Sequence, residues 1–151
     1  MDAIRTDTWI ISLPSDWLER GTTEAGALYF ESPDGEKAMY ISTWNLGEGA
    51  HQSSKDVTES FRATDIRTLH SMEGYSWQTV DEGLVQYETS TISVVDSLAP
   101  EQSYRIIGKI LAAPPVVVRA SFHDYVCSDY AASKAYFAPI IESLRFYAPA
   151  V

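Results

Sequence analysis

Cysteine is almost absent from this sequence of 151 residues, since Cys127 is the only one. An internal disulfide and a cysteine-based zinc site each need more than one cysteine, so both are excluded. Glycine and proline are also few, at 8 and 7 residues, and 45% of the residues are apolar. This composition excludes collagen-like, disulfide-rich and disordered classes. A single domain spanning residues 1–151 is predicted, because a chain of this length can bury a core without covalent or metal staples.

Basic residues are scarce too. The chain has 11 Lys and Arg against 21 Asp and Glu, a formal net charge of −10. A surface that binds phosphates needs clustered basic side chains, and the longest basic cluster is Arg62 with Arg67 on one predicted helix. Nucleic acid and anionic membrane surfaces are therefore not expected as partners.

Long apolar runs are missing as well. No stretch approaches the 18 or so apolar residues of a membrane-spanning helix, and the first seven residues have neither the basic nor the apolar region of a signal peptide. We expect a cytoplasmic protein, and a lone reduced cysteine fits that compartment.

The acidic excess is concentrated between residues 16 and 48. Seven acidic residues in that span (Asp16, Glu19, Glu24, Glu31, Asp34, Glu36, Glu48) accompany only two basic ones (Arg20, Lys37). One interpretation is a solvated surface that keeps the protein soluble. The other is an electrostatic docking face for a basic partner.

Several segments have the patterns of β-strands. A short strand is predicted at 9–13, closed by Pro14, which cannot donate a hydrogen bond to a ladder. A hairpin is predicted from 27–32 and 38–44 around Pro33-Asp34-Gly35, because Pro presets φ and Gly allows a positive φ. Residues 77–125 are rich in β-branched and aromatic side chains and predict an antiparallel meander, with breaks at 81–83, 97–101 and 112–115 and a central strand at Val116-Val117-Val118.

Two helices are predicted beside these strands. Ser53 with an acid three positions later is a helix-start signal, and the helix is expected to run to about Met72 before Gly74. Ser128-Asp129 opens the second helix, in which Pro139 marks either a kink or the true first turn. The predicted class is α+β, with an antiparallel sheet of about six strands packed against two main helices.

The order of these elements resembles the PsbP/DcrB-like group of α/β sandwiches. The resemblance lies in Trp9-Ile-Ile-Ser-Leu-Pro followed by Asp16-Trp17, in the hairpin, the capped helix and the meander, and in a closing Phe137-x-x-Ile140-Ile141-x-Ser143-Leu144-Arg145-Phe146. It spans nearly the whole chain. It implies an adaptor rather than an enzyme: relatives of this kind include photosystem assembly proteins, a Ran-binding factor, envelope lipoproteins and cytoplasmic chaperones of type VI secretion effectors.

The residues that could carry chemistry are scattered. His51, His70 and His123 lie in different predicted elements, so no metal site and no cofactor is expected. Asp81-Glu82 lies in a predicted turn and should be solvated. His123-Asp124 stands close to Cys127, but adjacent strand residues point to opposite faces, which defeats a simple relay. A small hydrolase using Cys127 is the enzyme hypothesis that remains.

The leading hypothesis is a non-enzymatic cytoplasmic immunity protein that binds and neutralises a cognate basic toxin. Its acids would steer the toxin and its exposed aromatics would anchor it; the predicted partner-binding residues are Glu24, Tyr29, Glu31, Asp34, Glu36, Trp44 and Glu48. The alternative is a type VI secretion effector chaperone, expected as a homodimer, that shields apolar segments of its effector on an exposed sheet face.

Overall fold

The structure, a computed structural model, describes residues 1–22, 26–47 and 52–147. Within these residues the chain forms ten β-strands and two α-helices. The strands are β1 (Asp2–Arg5), β2 (Trp9–Leu13), β3 (Leu18–Arg20), β4 (Ala27–Glu31), β5 (Lys37–Asn45), β6 (Gln78–Gln86), β7 (Thr91–Ala99), β8 (Tyr104–Ala113), β9 (Val116–Asp124) and β10 (Arg145–Phe146). The helices are α1 (Ser54–His70) and α2 (Tyr130–Ser143).

The main sheet has seven antiparallel strands in the order β3-β4-β5-β9-β8-β7-β6, and β1, β2 and β10 form a second sheet of three. The predicted hairpin turns at Gly35, whose φ of 71° lies in the left-handed region. Strand β9, which begins with the three valines, occupies the centre of the main sheet as expected. The predicted α+β class is confirmed, with seven strands instead of about six.

The two helices lie on opposite faces of the main sheet. Val57 of α1 packs in one apolar cluster with Ile110, whereas Phe137 of α2 packs in another with Leu111. Ile110 and Leu111 are neighbours on β8, and successive strand residues point to opposite faces. The α2 face is also covered by the small sheet, since residues of β2 join its core. The α1 face has no second sheet over it among the described elements.

Both predicted helix starts are confirmed. Ser53 and Asp129 each accept a hydrogen bond of 3.1 Å from the backbone N–H three residues further along. Helix α1 ends at His70, two residues earlier than expected, and Pro139 lies inside α2 rather than in its first turn.

The predicted break at 81–83 was wrong, whereas the break predicted at 97–101 is present but begins later, at Pro100. Residues 81–83 lie within β6, and the connection to β7 is instead a turn in which the N–H of Tyr87 donates to the carbonyl of Ser90 at 2.7 Å. Strand β7 continues to Ala99, and a single 3-10 turn at Pro100–Gln102 then separates it from β8. Strand β6 is an edge strand that is exposed along most of its length, so Asp81 and Glu82 are in contact with water there. Two adjacent charged residues can therefore lie within this strand and do not end it.

Candidate binding surface

Helix α1 covers only part of its face of the main sheet, because it packs over β7 and β8. The strands β4, β5 and β9 carry the rest of this face. The period of two places alternate residues of each strand on it. We call this part the open sheet face and define it by its larger and polar residues Tyr29, Glu31, Tyr40, Ser42, Trp44, Arg119, Ser121 and His123. His123 is buried, as are Ala27, Ala38 and Val117 on the same face, and the other seven residues of the set are partly or fully exposed.

Strand register brings the tyrosines of this face together. Tyr29 of β4 is paired with Tyr40 of β5, and Tyr40 is paired with Ser121 of β9. The rings of Tyr29 and Tyr40 lie 4.4 Å apart, and Tyr40 meets the ring of His123 edge to face at 5.3 Å. Cross-strand aromatic contacts of this kind stabilise a sheet and hold the rings in place.

The ring contacts continue toward β8. His123 stacks on Tyr125 at 5.6 Å, and Tyr104 lies 5.1 Å from Tyr125. Tyr75 and Trp77, which follow α1, pack against Tyr104 at 6.1 and 5.0 Å. We call Tyr29, Tyr40, Tyr104, His123 and Tyr125 the aromatic cluster. It spans four strands.

Hydrogen bonds link the polar atoms of the cluster. The His123 ring bonds to Tyr104 Oη through Nδ1 at 2.6 Å and to Ser121 Oγ through Nε2 at 2.9 Å. Burial raises the pKa of Tyr104 well above its usual value and that of Tyr125 to about 12, so these phenols stay neutral at neutral pH.

The hydrogen bonds run from Ser121 to His123 to Tyr104, which is the order of the side chains in a catalytic triad. The charge and the pKa values of these groups differ from those of a triad. In a triad the third group is an ionised carboxylate, which stabilises the imidazolium that forms. Here it is a neutral phenol, and burial together with Arg119 lowers the pKa of His123 to about 4. A general base works best when its pKa is near the operating pH. His123 is therefore better suited to hydrogen bonding than to proton abstraction.

The acidic residues predicted to bind a partner are distributed along the hairpin. Glu31 accepts hydrogen bonds from Arg20 Nε at 3.0 Å and from Tyr29 Oη at 2.9 Å. Asp34 lies in the turn, where it accepts from the N–H of Glu36 at 3.0 Å and from Ser32 Oγ at 2.7 Å, and these bonds lower its pKa. Glu36 is exposed beside it. Glu24 and Glu48 lie outside the described residues.

Trp44 is at the other end of the hairpin. It is 47% exposed and meets Phe61 of α1 edge to face at 5.9 Å. Trp44 lies seven positions along the extended strand from Lys37, which is next to the turn, and this is a span of roughly 23 Å. The predicted anchors Tyr29 and Trp44 thus share the open sheet face, while the acids of the turn border one end of it. As a partner-binding set these residues stay a prediction.

Three residues of the aromatic cluster were missed in the sequence: Tyr40, Tyr104 and Tyr125. Each lies in or just after a predicted strand, but their association depends on which strands pair and in what register. A count of nine tyrosines was the only signal.

The other candidate groups are separated. Cys127 is buried, and burial raises the pKa of its thiol, which opposes formation of a nucleophilic thiolate. Asp124 points away from His123, and its Oδ1 accepts from the N–H of Val126. Among residues 1–22, 26–47 and 52–147, no three His, Cys, Asp or Glu side chains are grouped as metal ligands. His51 is not among these residues.

Neither described helix is long and apolar enough to cross a membrane.

No protein-family model matches the sequence, and no curated protein matches it either. Solved structures match it in shape. Cyanobacterial PsbP (CyanoP) from Synechocystis sp. PCC 6803 is similar over 93% of this chain and 88% of its own, with a TM-score of 0.67 and 10% identity. The Ran-binding protein Mog1p of Saccharomyces cerevisiae is similar over 91% of this chain and 89% of its own, with a TM-score of 0.58 and 12% identity.

A third similar structure is a protein from Bacteroides thetaiotaomicron VPI-5482. It matches 93% of this chain and 45% of its own length, with a TM-score of 0.50 and 16% identity. At such low identities the similarity concerns the fold and not the activity. It agrees with the topology described above: the chain has the PsbP-like α/β sandwich fold that its sequence predicts.

Proposed function

We propose that this protein is a non-enzymatic protein-binding module and that the open sheet face is its binding surface. The observation that carries the proposal is the aromatic cluster, whose tyrosines are half-buried on a sheet face that α1 leaves partly uncovered. Tyrosine and tryptophan are enriched among interface residues, because they offer large rigid contact areas with a polar end. The Ran-binding protein Mog1p, which has the same fold, also supports a protein partner.

Within this role we propose an immunity-type protein that neutralises a cognate basic toxin. The net charge of −10 favours a basic partner. The acids of the hairpin turn adjoin the aromatic cluster, since the N–H of Tyr125 donates to the carbonyl of Glu36 at 2.9 Å. Charges beside an aromatic patch speed and orient the encounter, while the aromatics supply most of the binding energy. The cytoplasmic location stays a prediction.

Site-specific crosslinking in the native host tests the binding surface. A photoreactive phenylalanine analogue would replace Trp44 on the open sheet face or, as the control, Tyr87, which is 55% exposed beyond the far edge strand. We expect a crosslinked protein from position 44 and none of the same mass from position 87. Equal crosslinking from both positions, or none from position 44, would contradict the proposed surface.

A pair of charge reversals tests the electrostatic part. Glu36→Lys and Glu88→Lys change the net charge equally, but only Glu36 borders the aromatic cluster. With the partner identified by crosslinking, we expect Glu36→Lys to lower the association rate constant several-fold at low salt and Glu88→Lys to lower it much less. Similar association rate constants for the two variants would show that the acids of the hairpin turn do not steer the partner and only form a solvated surface.

The alternative function is a chaperone that shields apolar segments of a type VI secretion effector. The edge strand β6 favours it, because Val80 and Val85 are 41% and 52% exposed and an unpaired edge can accept another strand. In this case the crosslinker at Val85 would capture a large effector through its apolar segments, and the complex would persist at high salt. A basic toxin domain released by salt would instead support the immunity role.

A further inference from the structure

The C-terminal half of α1 stands away from the sheet. The helix is held at its start, where Val57 and Thr58 are buried and Ser54 Oγ bonds to Thr91 Oγ1 at 2.7 Å. Beyond this first part no described side chain of α1 is fully buried. A cavity of about 290 Å³ lies between this half of the helix and strands β7, β8 and β9.

The cavity walls are mainly apolar. Helix α1 contributes Ile66 and Leu69, Met72 follows just after the helix, and β8 contributes Ile106 and Ile110 from below. Side chains of this type would close on one another in a well-packed core, because interiors are packed as densely as organic crystals. Here Ile110 is buried, but the other four side chains remain half-buried around an open volume.

Gly108 lies at the floor of the cavity and has no side chain to fill it. It lies in the middle of β8, between Val95 and Ser121 on the neighbouring strands, and a Cβ atom built on it would meet no heavy atom within 4 Å. Glycine inside a strand weakens the strand and often marks a place where a ligand approaches the backbone. The missing side chain therefore leaves open space at this point of the cavity floor.

The polar groups of the cavity carry no unpaired charge. Ser121 and His123 lie at one side, and His123 is neutral at physiological pH. The two arginines that line the cavity are both paired: Arg119 with Asp65 at 2.6 Å and Arg62 with Glu82 at 2.5 Å. Such a lining offers hydrogen bonds to a neutral group and little attraction to an ion.

From this geometry we propose that the cavity beneath α1 binds a small neutral organic molecule with an apolar body and one hydrogen-bonding group. The volume corresponds to roughly ten non-hydrogen atoms, on the basis of about 30 Å³ for each water-sized group. The apolar body contacts Ile66, Leu69 and Ile110, and the polar group faces Ser121 Oγ. Both ring nitrogens of His123 are already hydrogen-bonded, whereas a hydroxyl can make more than one hydrogen bond. The cavity shares Ser121 and His123 with the open sheet face, but the binding of a small molecule in it does not depend on the proposed protein-binding role.

Methionine NMR with indole as the probe tests the proposal. The chain has three methionines: Met72 lines the cavity, Met39 is buried in the core on the opposite face, and Met1 is exposed. In protein labelled with ¹³C at the methionine methyl groups, we expect indole to shift the Met72 signal saturably and to leave the other two unchanged. No saturable shift of Met72 would overturn the proposal.

Substitutions of Gly108 supply the matched control. Gly108→Leu places a side chain in the open volume and is expected to abolish the indole-dependent shift, while an unchanged Met39 signal shows that the core is intact. If Gly108→Leu does not fold, Gly108→Ala fills less of the volume and is expected to weaken indole binding several-fold. Unweakened binding in a folded Gly108 variant would refute the site, as would a Met72 shift that appears only with a protein partner and never with indole.

Discussion

Loss of the buried carboxylate of Asp96 is expected to destabilise the protein strongly. Arg105 Nε and Nη2 donate to the two oxygens of Asp96 at 2.9 and 2.8 Å, and the two side chains are only 3% and 8% exposed. Arg105 Nη1 also donates to Ser133 Oγ at 2.9 Å, and Tyr130 Oη donates to Asp96 at 2.6 Å. The network therefore joins β7 and β8 to α2.

The magnitude follows from burial. Asp96→Asn keeps the shape of the side chain but leaves the guanidinium of Arg105 without its counter-charge in the interior. Removing one partner of a buried ion pair costs about 3–5 kcal/mol, because the remaining charge is neither solvated nor paired. Against a total stability of about 5–15 kcal/mol for a domain of this kind, that is a large fraction.

Urea unfolding followed by tryptophan fluorescence measures this loss. The exposed pair Lys55 and Glu59, with 3.9 Å between its charged atoms, is the control, and Glu59→Gln should change the free energy of unfolding by less than about 0.5 kcal/mol. The double variant Asp96→Leu with Arg105→Met should recover most of the stability, since it removes both charges. A loss below about 1 kcal/mol for Asp96→Asn would refute the reasoning.

Two further predictions concern pH and the hairpin. Because burial lowers the pKa of His123 from 6.5 to about 4, the unfolded chain takes up a proton at a higher pH than the native one, so stability is lost as pH falls below 6.5. Between pH 6.5 and 5 the wild type should lose about 1.5 kcal/mol more than His123→Gln in urea titrations, and parallel pH profiles would contradict this. Gly35→Ala should lower stability by about 1–2 kcal/mol, because φ is 71° at this turn; an unchanged thermal midpoint would disagree.

The elements that the sequence predicted well carry local signals. The strand at Trp9–Leu13 ends at a proline, α1 begins at the cap Ser53, and the hairpin turns at Gly35. Each signal acts within a few residues, through a fixed φ, a side-chain hydrogen bond to the backbone or a period of two. The short strands β3 and β10 have no such signal, and β10 exists because Phe146 pairs with Trp9 from the other end of the chain.

The sites were less accessible from the sequence for the same reason. The sequence pointed to the hairpin acids and to Tyr29 and Trp44, which are close in the chain. The aromatic cluster also contains Tyr104 and Tyr125, which meet Tyr29 and Tyr40 only through the order of β4, β5, β9 and β8. Charge and composition predict what kind of partner is favoured, but register decides which side chains meet.

By itself the sequence determined the class of this protein: an acidic α+β chain with a capped helix, a meander and a terminal helix, in the order of a PsbP-like sandwich. Only the tertiary structure decided which face each helix covers, how far α1 stands from the sheet, and that Gly108 lies beneath it. Caps, turns and alternation depend on neighbouring residues, whereas a cavity and an open sheet face arise from packing between elements distant in the chain.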